Sequence, residues 1–180
     1  MKRALVVLAV LLMANSGCGS VLKRGYQEAK GAGGKVREIK APTQAELRTY
    51  KSIRVGTITN DIGQVCNPGM LTGLQTYLPA ELAKMKDLFP GGQPTLTVDV
   101  AVQYAQKGGG LKAAIGSDQY LISRVKLLGT DDSTVGDLIL IGHSEAMRTS
   151  DEDLAKAAAE ELAKYLRQVY APSKEKDEND

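Results

Sequence analysis

From Thr95 to Tyr104 the residues alternate: Leu96, Val98, Val100, Val102 and Tyr104 fall at one parity, Thr95, Thr97, Asp99, Ala101 and Gln103 at the other. Only an extended chain sends every second side chain to the same face. The segment predicts a strand half in a core and half in water, which needs sheet neighbours and a cover for its apolar face. Tyr120 to Leu128 repeats the pattern, with Leu121, Ser123, Val125 and Leu127 opposite Arg124 and Lys126. Leu138 to Ala146 predicts a further strand, entered at Gly136-Asp137, and the polar run Thr130 to Thr134 between them reads as a turn. Ser52 to Ile58, with Ile53, Val55 and Ile58, predicts the first strand.

Two stretches follow the helical period. Leu71, Leu74, Leu78, Leu82 and Met85 lie on one stripe, with Pro79 among them. Proline disrupts a helix interior and suits a first turn, so the reading is a main helix over Pro79 to Leu88 preceded by a looser turn. Phe89-Pro90-Gly91-Gly92 stops it. Near the C-terminus, Ser150-Asp151-Glu152-Asp153 supplies an N-cap and an acidic first turn. Leu154, Ala158, Leu162, Leu166 and Val169 form the buried stripe, Glu160 and Lys164 pair across one turn, and Pro172 ends the helix. The expected order is β-α-β-β-β-α. Such an α+β chain builds a two-layer sandwich, a mostly antiparallel four-stranded sheet with both helices on one face. The other face shows Thr, Gln, Arg and Lys.

The amino terminus is an address. Lys2 and Arg3 precede an apolar run from Ala4 to Ala14, followed by Asn15, Ser16, Gly17 and Cys18. That is the layout of a secretory signal peptide, too short for a membrane span of about 20 residues. No later stretch is long enough to span. Ser16-Gly17-Cys18 resembles the lipobox of bacterial lipoproteins, whose cysteine is diacylated before the chain is cut ahead of it. The resemblance makes residues 1–17 the leader and Cys18 the lipidated residue. Gly19 after the cysteine implies sorting to the outer membrane, facing the periplasm. Two acyl chains hold stably where one does not.

With Cys18 used for lipid, Cys66 alone remains of the two cysteines, so no intrachain disulfide forms. In the loop-like stretch Gln64 to Gly69 it reads as a buried inert thiol, with an exposed or intermolecularly bonded one as the alternative.

Residues 18–40 read as a flexible basic tether. It holds Lys23, Arg24, Lys30, Lys35, Arg37 and Lys40 against Glu28 and Glu38, and its several glycines show little apolar periodicity. Residues 41–170 form a single domain, and the charge-rich 171–180 a disordered tail.

Composition narrows the function. The chain has 23 basic and 21 acidic residues, and loss of Lys2 and Arg3 with the leader leaves it balanced. With one Phe and no Trp besides, it lacks the basic patches and stacking aromatics of a nucleic-acid binder. The one histidine, His143, precedes Ser144 on a strand, so the two point to opposite faces and form no dyad. No Gly-x-Ser-x-Gly elbow is present, and one His with one free Cys builds no common zinc site. Asp131, Asp132 and Asp137 fit no calcium-loop template. The run Gly108-Gly109-Gly110-Leu111-Lys112 lacks the Ser/Thr and the following helix of a phosphate loop. It reads as a flexible crossing and, secondly, as a loop contacting a ligand or partner through Gly108, Gly109, Gly110 and Lys112. The chain reads as no enzyme, with no cofactor and no metal.

The lipobox, the strand "YKSIRV" and the stretch "VDVAVQYAQKGGGLKAAIGSDQYLISRVKLLGTDDSTVGDLI" resemble a family of bacterial lipoproteins, domain of unknown function 4410. The similarity covers about Thr49 to Val169. Its fold is similar to the small domains of the curli-secretion lipoprotein and of the amino-terminal part of TolB, which implies envelope assembly or scaffolding. The expected function is a lipid-anchored, non-catalytic interaction or assembly module of the bacterial envelope, held to the membrane and partnered by another envelope protein. The alternative is a periplasmic binder of a peptide, glycan or lipid through the Gly-rich loop.

Overall fold

The computed structural model describes residues 31–106, 118–144, 146 and 149–171. It has five strands and three helices among these residues. Strand β1 spans Gly33–Lys40, helix α1 Gln44–Thr49, β2 Ser52–Asn60, α2 Pro68–Ala83, β3 Thr95–Gln106, β4 Gln119–Leu128, β5 Thr134–Ser144 and α3 Asp151–Tyr170. A 3-10 turn over Gly63–Val65 leads into α2. The sheet order is β1-β5-β4-β3-β2. Only β2 and β3 pair in parallel, joined through α2, and every other pairing is antiparallel. The architecture is therefore α+β with a mostly antiparallel sheet. In detail it differs from the expected four strands and two helices by a strand and a helix, both at the N-terminal side.

The added strand is β1. The sequence reads residues 33–40 as part of the tether, because Gly33 and Gly34 suggest flexibility. The fold uses Gly34 for closeness instead. A Cβ there would lie 2.5 Å from the Ala157 carbonyl oxygen of α3, and one on Gly142 in β5 would lie 2.6 Å from the Leu154 carbonyl oxygen. Helix α3 thus rests its backbone directly on the β1–β5 pair, and only glycine permits that approach. The folded body begins before residue 41. The added helix, α1, is announced by Thr43-Gln44-Ala45-Glu46, a reciprocal capping box in which each side chain accepts the other's backbone N–H.

Helix α2 starts earlier than the proline suggested. Asn67 caps it, accepting the Gly69 N–H at 3.3 Å, Pro68 takes the first turn, and Pro79 lies inside. Pro79 and Gln75 both face solvent. The Gln75 carbonyl that loses its helical donor thus belongs to the solvent-facing side of the helix. The expected end at Leu88 becomes a series of turns, in which the Leu88 and Phe89 N–H groups donate to Met85.

All three helices occupy one side of the sheet. Met70, Leu74, Leu78, Leu82, Met85 and Phe89 meet Leu154, Ala158, Leu162 and Leu166 of α3. Beneath them lie Leu96, Val98, Val100 and Val102 of β3 with Leu121, Val125, Leu127, Leu138 and Leu140. Each such large side chain contributes about 1.5–3 kcal/mol when fully buried. Small residues bring α2 and α3 close: a Cβ on Gly73 would sit 2.7 Å from that of Ala155. The Ser150–Asp153 capping box starts α3 where the sequence placed it.

Candidate functional site

The opposite side of the sheet carries no described helix. Cross-strand register arranges its side chains in rows. Arg37, Ile139, Arg124 and Ala101 form one row, and Lys40, Asp137, Lys126 and Asp99 the next. Towards the end where the described chain begins lie Lys35, Ile141, Ile122 and Tyr104, then Gly33, His143, Tyr120 and Gln106. The face therefore holds a half-buried apolar strip bordered by charge.

Tyr104 belongs to this strip because of an irregularity that alternation alone does not show. The register slips between Val102 and Tyr104, so a β-bulge at Gln103 reverses the parity. Tyr104, expected with Leu96 and Val98, instead stands 45% exposed on the uncovered face, its hydroxyl donating to Gln106 at 2.6 Å. A second bulge lies in β2 between Val55 and Ile58, where the Thr57 N–H donates to Asp99 at 2.8 Å. A third, in β1, leaves Ile39 58% exposed.

The face has one strong internal pair. Arg124 meets Asp137 in fork geometry, Nε to Oδ1 at 2.9 Å and Nη2 to Oδ2 at 2.6 Å. Hydrogen bonds from Arg124 hold the Asp137 carboxyl below the usual carboxylate range, against the opposing effect of burial. Lys40 donates to the Thr134 carbonyl. Lys35 and Arg37 are exposed and make no ion pair with a described residue. Sequence reasoning placed all three cations in the tether; the alternation Lys35-Val36-Arg37 was the available sign of a strand.

Both sheet edges are open among the described residues, since β1 pairs only with β5 and β2 only with β3. Shallow hollows line the surface. One of about 180 Å³ lies between Thr57, Thr59, Asp99, Ala101, Arg124 and Lys126 on the uncovered face. One of about 410 Å³ lies at its far end, beside Arg54, Thr97 and Asp132. Another of about 330 Å³ lies beside Gly31 and the start of α3.

Cys18 and the loop residues Gly108, Gly109, Gly110 and Lys112 lie outside the described residues. His143 and Ser144 do part to opposite faces. His143 packs over Gly33, whose added Cβ would meet its Cε1 at 3.2 Å, whereas Ser144 is buried and shares a 2.5 Å hydrogen bond with Thr149. Cys66 is buried, and burial followed by the charge of Asp151 pushes its thiol pKa up, away from the reactive thiolate. Among the described residues no cluster of His, Cys, Asp and Glu could hold a metal ion, and no helix is long and apolar enough to cross a membrane.

No family model matches the chain, and no curated protein matches it. Among the solved structures similar to it are two dodecamers of PelC from Paraburkholderia phytofirmans. The first, a point variant, is 14% identical with a TM-score of 0.47, covering 74% of this chain and 96% of its own. The second is 12% identical with a TM-score of 0.43 and the same coverages.

Proposed function

We propose that this chain is a lipid-anchored, non-catalytic interaction module of the bacterial cell envelope, fastened through Cys18 and joined to a protein partner along the edge strand β2. The open, five-stranded sheet with an unpaired β2 edge carries the protein-binding part of this reading. An unpaired edge is a row of backbone donors and acceptors, able to accept an extended segment of another chain. The two edges differ in this respect. Strand β1 presents Lys35, Arg37 and Lys40, and edge cations deter strand addition. Strand β2 carries the single exposed cation Arg54 and, beyond it, the exposed neutral Thr57, Thr59 and Asn60. The leader and the lipobox-like Ser16-Gly17-Cys18 support the anchor.

Two measurements test the two parts. Mass spectrometry of protein extracted from bacterial membranes should find Cys18 as the acylated first residue; an unmodified thiol there refutes the anchor. A photo-crosslinking residue at Thr59 should capture a discrete envelope protein in living cells, while the same group at Gln75 on α2 should not. Recovery of monomer alone from both positions refutes the edge.

A further inference from the structure

The chain is nearly neutral, but the fold sorts its charges. The strand positions of the uncovered face bring together Lys35, Arg37, Lys40, Arg54, Arg124 and Lys126. Opposing them on those strands are Asp99 and Asp137, and both already have donors, the Thr57 N–H and Arg124. Further carboxylates lie outside the strands at the ends of the face, among them Asp61, whose carboxylate accepts from Thr59 at 3.2 Å, Asp118, and Asp131 and Asp132 in the turn before β5. The helical layer has the opposite balance. In α3 alone Asp151, Glu152, Asp153, Glu160 and Glu161 outnumber Lys156, Lys164 and Arg167.

We propose that the uncovered face, with Lys35 and Arg37 at its β1 margin and the strip of Tyr104, Ile122 and Ile141 towards the end where the described chain begins, docks flat on an anionic lipid surface. Charge complementarity is the first argument. Each cation brought near an anionic bilayer favours contact by about fivefold. Shape and chemistry are the second. A strip of isoleucines flanked by Tyr104 and Tyr120 suits the headgroup boundary, where tyrosine places its ring among acyl chains and its hydroxyl in water. The third is where the chain leaves. Residue 31 stands two positions before the start of β1, the strand that carries Lys35 and Arg37. Residues 18–30, even fully extended, reach at most about 45 Å. An acylated Cys18 thus ties this margin to within about 45 Å of the bilayer and attaches the chain on the side of the cationic strand. The proposal rests on the anchor reading for that third argument only. Docking in this pose turns the acidic helices away from the lipid and leaves the β2 edge at the side, open to a partner strand.

The absence of tryptophan from the chain makes a clean reporter possible. Full-length protein purified from membranes, carrying either Tyr104→Trp or Gln75→Trp, is placed on phosphatidylcholine vesicles with brominated acyl chains, with or without phosphatidylglycerol. The expected result is strong quenching of Tyr104→Trp only when phosphatidylglycerol is present, abolished by high salt, with Gln75→Trp unquenched throughout. Adding Lys35→Gln and Arg37→Gln should lower the ratio of docked to undocked protein roughly 30-fold. Both side chains are exposed, so the double variant keeps the fold.

Quenching of Gln75→Trp, or of Tyr104→Trp regardless of phosphatidylglycerol, overturns the proposal. So does a Tyr104→Trp emission that shifts with protein concentration alone, which would mean that a second copy covers the face, or loss of vesicle docking to a soluble acidic glycan. Failure of the anchor looks different: the protein then stays in solution over pure phosphatidylcholine but still docks when phosphatidylglycerol is added.

Discussion

At the scale of single residues, Asp137 and the paired glycines carry the most testable consequences. Asp137 is buried and satisfied by Arg124, whereas Arg124 is 40% exposed, so solvent screens part of their attraction. Asp137→Asn should cost about 1 kcal/mol, read as a lower urea midpoint. The pH dependence has a defined sign. Because folding lowers the pKa of this carboxyl, its contribution is complete above the unfolded value of about 3.9 and is lost as pH falls through the lower folded value. The difference between wild type and Asp137→Asn should therefore be constant near neutrality and shrink below about pH 4. Gly142→Val places branched carbon where α3's backbone already sits and should cost 1–3 kcal/mol or more, by roughly the cost of overpacking. If its urea midpoint equals that of the wild type, the helix does not lie on the sheet as described.

Among the elements, α2 shows how far local rules reach. Proline inside a helix costs about 3 kcal/mol relative to alanine, less the entropy it removes from the unfolded chain. Pro79 is exposed, so Pro79→Ala removes strain without opening a cavity. It should stabilise the protein by about 1–2 kcal/mol, seen as a melting temperature higher by several degrees. Helix α1 depends on its box, in which Thr43 and Glu46 bond each other's backbone, and Leu47 is fully buried beneath it. Thr43→Ala should cost about 1 kcal/mol. Both helices were readable in part: the stripe of α2 and the Thr-x-x-Glu signature of α1 are printed in the sequence. The strength of a proline's effect depends on which side of the helix faces water, and that is set by packing against α3.

For the whole molecule, the sheet order makes a prediction about local stability. Strand β4 is paired on both sides and covered by the helices, while β1 and β2 are edges. Amide hydrogen exchange should be slowest at Leu121, Val125 and Leu127 and faster along both edge strands. Rapid exchange at Val125 would contradict the central place of β4.

Strand character over 95–106 and 119–128 and the capped last helix were determined by the sequence alone, because each depends on residues near one another in the chain. Period-two alternation and a Ser-x-x-Asp cap require no knowledge of distant neighbours. Beyond the mostly antiparallel α+β layering, the features that depended on a distant contact escaped it. The recruitment of 33–40 into the sheet needed α3 to press on Gly34, more than a hundred residues away. The turning of Tyr104 to the open side needed the pairing of β3 with β4, since a bulge exists only relative to a partner strand. The gathering of cations on one face needed the sheet order itself. A linear chain records how many charges it carries, and only the folded one decides which surface they share.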